Sequence, residues 1–531
     1  MKLLYQTLTI ILTLTPVLTL KGQESGNIDH SFINAISPWL QSDNAAGLCA
    51  MPVNRSGFVN AHFGKQNGGL CGINDSADSF DAGAQTETFV KVSERLHLFG
   101  NLDYNNFQGK DMGGPVFMDP SYNSINFYEF ADTTLGRRTK ETYHLSGGIS
   151  YNFNNKWSIG AKVDYTDADR TKIKDPRYLT VWMDFGASAG FRFAPTDAFS
   201  IGLNFKYRRT LEQIDAEIVG VTGEKYFTYI DMGGFYGTRE LLNESSGYLS
   251  ESETRPMFNT FYGGALQIEA GRDTKIFNEI SFLRRGGYYG KKSSTSVTFT
   301  EHSGNIIEYR GVLVAGKGDN RHRVGLDFCY ESLDNLENIY RMSAQTGQYT
   351  VVEYFGQNEV LNRTDMNFGL SYTGYTGISN FRPTWEFGIS ADGHRRTSLT
   401  TIYPFYRSYS IMTLHGKLFG KRNIVIKDKN ILTFEFQGHF NTGFGNPRTD
   451  GVLAGTSSAA PRSADLYLDR DFEYNTAMQA GGQLKIRYER LFKKLGAYIE
   501  VTDSYTRLLK TPEFLKGNYR NILETKVGIT F

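Results

Sequence analysis

Hydrophobic and polar residues alternate with a period of two along most of the chain. In 199–207 every second residue is apolar, and 157–165, 181–193 and 432–440 repeat the pattern. Such alternation places the two sets of side chains on opposite faces of a β-strand. The segments run for roughly nine to thirteen residues, which a tilted strand needs to cross a bilayer, whereas an average strand has about five or six. The pattern predicts an all-β fold, a transmembrane antiparallel β-barrel.

The last ten residues, 522–531, alternate in the same way and end on Phe531. A strand at the end of the chain has no later element to cover its edge, so it must pair with an earlier strand. The ending resembles the terminal aromatic strand that bacterial outer-membrane barrels present to their assembly machinery. That resemblance implies that Phe531 is the C-terminal assembly signal and that the last strand closes the barrel against the first.

Short turns and long polar segments follow each other along the chain, as in outer-membrane barrels with short periplasmic turns and long extracellular loops. One strand near 55–64, eight hairpins and the closing strand give about eighteen strands; sixteen is the alternative, because the pattern is weak at 284–316 and 420–430. The predicted turns are at 93–94, 154–156, 195–198, 271–274, 316–320, 377–380 and 490–494. The predicted outer loops are 106–141, 166–180, 209–258, 284–304, 333–362, 442–471 and 507–518.

The N-terminal segment predicts export. Residues 8–20 are apolar apart from threonine and one proline, are too short to span a bilayer and follow a lysine, as in a secretory signal. We expect a signal peptide at 1–22, cleaved on export, and a bacterial outer-membrane location. Residues 23–54 do not alternate and are either a periplasmic leader or a small plug, and 55–531 form the barrel.

Residues 37–48, SPWLQSDNAAGL, resemble the hatch segment that opens the long-chain fatty-acid transporter family and its secretion-linked relatives, with Ala45 where that family has proline. In that family the segment lies inside the barrel, so the resemblance implies a plug. The whole chain, with its hatch-like start, aromatic-rich strands and final Phe531, resembles an uncharacterised outer-membrane barrel family of Bacteroidota-type bacteria. That resemblance implies the fold and no particular activity.

Composition agrees with a barrel. The 531 residues include 32 Tyr, 38 Phe and 56 Gly but only 4 Trp, and the mean hydropathy is −0.39. Aromatic residues and glycine suit membrane girdles, strands and turns. The net charge of +1 predicts no nucleic-acid partner.

The three cysteines, Cys49, Cys71 and Cys329, form no disulfide framework. A bond between Cys49 and Cys71 is possible. The favoured interpretation is that a spanning strand between them keeps them apart as free thiols.

The charged and polar faces of the strands are predicted to line the lumen. Positive and negative groups are mixed there, whereas a strongly charge-selective pore shows one dominant sign. Because burial of unpaired charge is costly, these groups either pair across the lumen or line water. Pairing around a plug is the favoured interpretation, and a general aqueous channel is the alternative. The candidates are Lys162, Asp164, Asp184, Arg192, Lys206, Arg208, Asp327, Glu386, Asp392, Glu435, His439, Lys485, Arg487, Glu500, Glu524 and Lys526.

Nothing in the sequence predicts an enzyme. Residues 186–190 match G-x-S-x-G, a pattern that supports catalysis where the serine sits on a strained strand-to-helix turn. Ser188 lies instead within an alternating strand, which indicates small residues at a crowded lumen. Asp392 and His394 are the one acid–histidine pair resembling a barrel hydrolase, and they lack a second partner. The nine histidines show no metal-ligand spacing, so neither a metal nor another cofactor is expected.

Two functions are compatible with these features. The first is a passive transporter or channel for a small solute, hydrophobic if the hatch resemblance extends to function. The second is a non-conducting barrel that docks surface proteins, or a receptor or secretion complex, through outer loops such as 106–141 and 209–258, which are rich in aromatic residues. The expected partners are outer-membrane lipid, the barrel assembly machinery and, in the second case, a surface lipoprotein or receptor.

Overall fold

The computed structural model describes residues 28–120, 122–129, 134–220, 225–242, 247–250, 254–344, 350–427, 429–455, 459–493 and 495–531. The predicted signal peptide and residues 23–27 lie outside the described residues. Within the described part, eighteen strands form one closed antiparallel sheet. The transmembrane β-barrel and its predicted strand number are confirmed.

The barrel strands follow one another around the sheet in chain order, and β4, β9, β10 and β19 form a separate small sheet. The strands are β1 (Arg55–Asn67), β2 (Asp78–Lys91), β3 (Leu96–Met112), β4 (Asn126–Glu129), β5 (Gly136–Asn152), β6 (Trp157–Lys172), β7 (Arg177–Thr196), β8 (Phe199–Glu217), β9 (Phe227–Asp231), β10 (Tyr236–Leu241), β11 (Met257–Ala270), β12 (Lys275–Gly290), β13 (Thr298–Ala315), β14 (Arg321–Ala344), β15 (Thr350–Thr376), β16 (Trp385–Ile402), β17 (Phe405–Ile426), β18 (Asn430–Val452), β19 (Arg462–Ser463), β20 (Gln479–Leu491), β21 (Gly496–Leu508) and β22 (Tyr519–Thr530).

The barrel closes between its first and last strands. β1 pairs with β22, and Val59 lies opposite Ile529. Phe531 continues this pairing: its amide donates to the carbonyl of Gly57 (3.0 Å), and its carbonyl accepts from the Gly57 amide (2.9 Å). The guanidinium of Arg55 lies over the Phe531 ring, 4.2 Å from its centre. The end of the chain is therefore part of the seam of the barrel.

The outward face of the spanning strands is apolar. On β8, Leu203 and Phe205 point outward and are 49% and 57% exposed. Toward the long-loop end of this band, neighbouring strands carry outward tyrosines, as in the aromatic girdles of membrane barrels. These residues are Tyr104, Tyr143, Tyr165, Tyr207 and Tyr262. The band is suited to contact with lipid.

Several predicted outer loops are wrong in extent, because the strands continue through them. In place of a loop at 166–180, β6 runs to Lys172 and β7 begins at Arg177. In place of a loop at 333–362, β14 and β15 extend over 24 and 27 residues. Beyond the membrane the outward positions become polar and the inward ones pack against other segments. The alternation therefore fades while the backbone pairing continues.

The two ends of the barrel differ. β1 begins and β22 ends at the end with short turns, such as 153–156 and 271–274. The opposite end carries the long connections 113–135, 218–256 and 453–478, which contain the small sheet and a helix. By the asymmetry of outer-membrane barrels, the short turns are periplasmic and the long connections extracellular.

In the described part of the chain, helical structure is limited to short segments. They are α1 (His30–Ile36), α2 (Asp465–Thr476) and two 3₁₀ helices, Pro38–Gln41 and Ala45–Ala50. Asp29 caps α1, because its carboxylate accepts hydrogen bonds from the amides of Ser31 and Phe32. Among the described residues, no helix has the length and apolar character needed to cross a membrane.

Candidate functional site

The segment before β1, residues 28–54, crosses the lumen near the short-turn end; we call it the inner segment. Trp39 is 1% exposed and packs edge-on against Phe277 of β12, with ring centres 5.2 Å apart. Phe32 packs against Tyr375 of β15 (4.9 Å), and Leu48 packs with a phenylalanine of β2. Because these strands lie on different sides of the barrel, the segment occupies its interior.

Asp29 fixes the beginning of the inner segment. Lys421 of β17 donates from Nζ to Asp29 Oδ2 (3.1 Å) and to Glu386 Oε2 (3.3 Å). Burial alone would raise the pKa of Asp29. The charges of Lys421 and Arg382 outweigh that effect and hold the pKa well below its usual range. Asp29 is therefore an ionised anchor on the wall formed by β16 and β17.

Asp43 fixes the middle of the inner segment. Its Oδ2 lies 2.9 Å from Lys206 Nζ on β8, and its Oδ1 lies 3.3 Å from Lys162 Nζ on β6. Burial raises its pKa, but the two ammonium groups exceed that effect and lower the pKa to about 2. The hydroxyl of Ser188 donates to the backbone carbonyl of Asp43 (2.5 Å). The segment is thus held by charge and by hydrogen bonds to three strands.

Small residues on the wall admit the inner segment. A Cβ atom at Gly160 would overlap the backbone next to Ala46, and one at Gly190 would overlap the side chain of Asn44. Ser188 lies between these contacts and is small enough to hydrogen-bond to the segment. Gly190 and Ser188 are therefore explained by the close approach of the inner segment to β7.

Each of the sixteen residues predicted to line the lumen lies on the inward side of its strand and has a partner. Opposite charges, or a carboxylate and a histidine, connect Lys162 and Lys206 to Asp43, Arg208 to Asp184, Asp164 to His144, Asp327 to Arg310, Glu386 to Lys421, Asp392 to His415, Glu435 to Lys485, Arg487 to Glu500, and Glu524 to Lys526. Arg192 stacks on Trp39 at 5.0 Å, and His439 Nε2 lies 2.9 Å from the Thr506 hydroxyl.

Asp392 and His394 do not pair with each other, contrary to the constellation suggested by the sequence. His394 Nε2 lies 3.1 Å from Asp365 Oδ1 on the neighbouring strand β15. Asp392 Oδ2 lies 3.6 Å from His415 Nδ1 on the other neighbour, β17. His415 lies directly opposite Asp392, and Asp365 lies diagonally opposite His394, so both pairs form across neighbouring strands.

The three cysteines are free thiols, which confirms the favoured interpretation. Cys49 precedes β1 and Cys71 follows it, so the two lie at opposite ends of a spanning strand. Cys49 Sγ donates to the Ala46 carbonyl (3.0 Å) and lies 3.4 Å from the Ser158 hydroxyl of β6.

Near the long-loop end, the connection between β3 and β5 also enters the barrel; we call its residues 113–129 the outer segment. Inward arginines donate to its backbone carbonyls. Arg170 Nη2 donates to Phe117 (2.7 Å), and Arg285 and Arg363 both donate to Tyr122 (3.0 and 3.1 Å). The backbone of the outer segment is therefore bound from three strands, β6, β12 and β15.

A buried ion group completes the attachment of the outer segment. Glu129 of β4 is 1% exposed, and its Oε1 accepts from Arg138 Nη2 at 2.6 Å. Its Oε2 accepts from Lys172 Nζ, whose side chain is also 1% exposed. Buried charges of this kind persist only when each has its partner.

Apolar side chains of the outer segment face the barrel. Phe117 and Phe127 are fully buried and pack with Tyr289 of β12, at ring distances of 6.3 and 5.2 Å. Met118 of the outer segment and Met112, the last residue of β3, are also buried. The apolar residues that make 106–141 a candidate docking loop therefore line the inside of a lid, and a surface partner stays a prediction.

A cavity of about 490 Å³ lies between the two segments; we call it the chamber. Its lining comes from the inner segment, β8 and β12–β17. Along β16, Glu386 contacts Lys421, which is the partner of Asp29, and Asp392 lines the chamber. Arg396 lines a second cavity of about 280 Å³, which residues of the outer segment also line. The inner segment, the chamber and the outer segment thus follow one another along the lumen.

Sequence reasoning missed several residues of this arrangement. Arg170 and Arg285 fall in segments predicted as loops, and Arg363 directly follows another such segment, although all three point inward from strands. Lys421 lies in a stretch whose alternation is weak, because inward Phe419 breaks the pattern. Asp43 stands in a polar segment without periodicity, and no signal there marks it as an anchor.

The pKa of Asp43 predicts an acid-sensitive inner segment. Because the pKa lies near 2, below its ordinary 3.8, ionised Asp43 stabilises the docked segment above about pH 4, and that stabilisation is lost as the pH falls toward 2. We expect pepsin to cut within residues 28–54 increasingly as the pH is lowered from about 5 to 2. In Asp43→Asn this cutting should already occur at about pH 5. Asp503→Asn, on the outward face of β21, serves as the control, and equal cutting of Asp43→Asn and wild type at the upper pH would contradict the prediction.

These features define a class: a closed transmembrane barrel whose lumen holds two internal segments with a polar chamber between them. The profile of DUF6850, a family of unknown function, matches residues 45–531. The chain belongs to this family. No curated protein matches the sequence. A Bacteroidota-type origin stays a prediction.

Solved outer-membrane proteins resemble the chain at low similarity. The toluene transporter TodX from Pseudomonas putida is 9% identical with a TM-score of 0.32, and 97% of this chain and 99% of that chain are covered. The ferric preacinetobactin receptor BauA from Acinetobacter baumannii is 7% identical with a TM-score of 0.37, covering 89% and 79%. The ferric citrate transporter FecA is 11% identical with a TM-score of 0.37, covering 90% and 79%. Similarities of this size carry no argument about activity or solute.

Proposed function

We propose that the protein is an outer-membrane transporter that passes a small polar solute down its concentration gradient through the barrel, without catalysing a reaction. The observation that carries the proposal is the chamber of about 490 Å³ between two segments inside the lumen. Its volume is that of a small-molecule site. Its charged lining favours a polar solute over the hydrophobic one suggested by the hatch resemblance, because charges lose hydration beside apolar groups.

The attachment of the inner segment suits a gate. The segment contributes no strand to the barrel, so its movement leaves the sheet intact. Its anchors Asp29 and Asp43 are charge pairs and hydrogen bonds, which water or a solute can replace. We propose that the inner and outer segments act as two gates in series, and that the chamber holds solute between them.

A disulfide tether tests the inner gate. Ser158→Cys places a second thiol beside Cys49, whose Sγ lies 3.4 Å from the Ser158 hydroxyl. In proteoliposomes we expect the oxidised variant to take up a labelled pentose at least about tenfold more slowly than the same variant after reduction, because the segment is then locked in one position. The control is Ser158→Cys combined with Cys49→Ser, which cannot form the bond.

Two outcomes would overturn the proposal at different points. Uptake that does not exceed protein-free liposomes in the reduced state would refute transport. Equal uptake in the oxidised and reduced states, with the disulfide verified by mass, would refute a moving inner segment. A rate that falls on oxidation and recovers on reduction supports both parts.

A further inference from the structure

The chamber is rich in carboxylates. Five carboxylate side chains line it, against two permanently cationic ones. The carboxylates are Asp43, Glu279, Glu308, Asp327 and Asp392, and the cations are Lys206 and Arg310. His394 and His415 also line the chamber, and each lies beside a carboxylate of a neighbouring strand. The lumen as a whole mixes both signs, but this part of it has an excess of negative charge.

The two cations are already engaged. Lys206 Nζ lies 2.9 Å from Asp43 Oδ2 and 3.3 Å from Glu308 Oε2. Arg310 Nε lies 3.3 Å from Asp327 Oδ1, and its Nη1 donates to a carbonyl of the inner segment at 2.8 Å. Glu279 and Asp392 therefore have no permanent cation as a direct partner among the described residues.

Of these two carboxylates, Glu279 is the buried one. It points inward from β12 and is 9% exposed. The hydroxyl of Ser42 hydrogen-bonds to its carboxylate, but its Oε2 is buried without a hydrogen-bond partner among the described residues. A buried carboxylate oxygen without a donor is a rare and costly arrangement in a folded protein, and a ligand donor at the chamber would satisfy it.

Asp392 is the accessible member. It points inward from β16, and its carboxylate lies 3.6 Å from the imidazole of His415. The opposing residue on β15 is Gly369, where a Cβ atom would come against Asp392 Oδ1. The absence of a side chain at Gly369 leaves this carboxylate open toward the chamber.

We infer that the chamber binds a small organic cation carrying a primary ammonium group, with Glu279 and Asp392 as its ionic partners. The inference rests on the proposed transport function and specifies the class of solute. An ammonium group supplies three donors, which suits a carboxylate with an unfilled oxygen. The cavity of about 490 Å³ accommodates an organic molecule. The positive charge of the solute offsets the excess of carboxylates.

Uptake of three four-carbon probes tests the inference in proteoliposomes of the full-length protein. The probes are 1,4-diaminobutane, 1,4-butanediol and succinate, which share a backbone and differ in charge. We expect the diamine to enter wild type at least about tenfold faster than succinate. In Glu279→Gln the diamine rate should fall by about tenfold while the diol rate stays unchanged.

Glu269→Gln is the matched control. Glu269 is also 9% exposed and points inward, but it lies on β11 and does not line the chamber. Its substitution should leave all three rates unchanged. Equal rates for the diamine and succinate, or an equal loss for all probes in Glu279→Gln, would refute the inference and leave transport standing. Exclusion of all three probes by wild type would instead refute the transport function itself.

Discussion

We expect the conductance of single reconstituted barrels to rise by at least about tenfold when residues 28–50 are deleted and Arg285→Ala and Arg363→Ala are introduced together. The reason is that a barrel of this strand number is wide enough for an aqueous channel once nothing fills it. The deletion alone, or the arginine pair alone, should stay near the wild-type value. The reason is that the inner and outer segments lie one after the other along the lumen, so removing one leaves the other as the limiting barrier. Planar-bilayer recordings measure the effect.

A matched control separates gating from loss of charge. Arg209→Ala with Arg284→Ala removes two arginines on the outward face of β8 and β12 and should leave conductance unchanged. Each variant is first checked for a folded barrel by its heat-dependent migration on gels. Full conductance from either single change would show that only one segment closes the lumen. A closed combined variant would show that neither segment is the barrier.

Glu129→Gln is expected to release the outer segment. The substitution leaves buried Arg138 and Lys172 without their anion, and breaking a buried pair in this way costs about 3–5 kcal/mol. Amide hydrogen exchange across 113–129 should therefore accelerate by roughly two to three orders of magnitude, while the spanning strands keep their protection. The strands do not depend on this ion group, because their backbone pairing is complete without it.

The control for this prediction is an exposed ion pair. Glu94 lies 2.8 Å from Lys91 at a short turn, and its side chain is 90% exposed. Glu94→Gln should change exchange little, since pairs in water contribute about 0–1 kcal/mol. If Glu129→Gln and Glu94→Gln had the same effect, the buried group would not be what holds the outer segment in place.

The predictions from sequence succeeded where one residue's neighbours along the strand decide its environment. On β8, Leu203 and Lys206 face opposite sides because a strand alternates, and neither needs a distant contact to do so. The seam at Phe531 was predicted from the resemblance of the last strand to the terminal strands of outer-membrane barrels, and the pairing of β1 with β22 confirms it. The predictions failed at 166–180 and 333–362, where the strands leave the membrane and alternation is no longer enforced by lipid.

The candidate site was only half visible in the sequence. Lys162 and Lys206 could be placed on the lumen side, but their partner Asp43 could not be identified, because it lies 119 and 163 positions away in a segment without periodicity. The carbonyl contacts of Arg285 and Arg363 were likewise invisible, since a backbone carbonyl carries no residue identity.

By itself, the sequence determined the membrane-spanning parts of the strands and their inward and outward faces, because both follow from local alternation repeated at membrane-spanning length. Only the tertiary structure decided what fills the lumen. The paths of the inner and outer segments depend on contacts between residues far apart in the chain, and so does the charge left over in the chamber. Whether a lumen carboxylate such as Glu279 has a partner is a property of the whole barrel and not of its own strand.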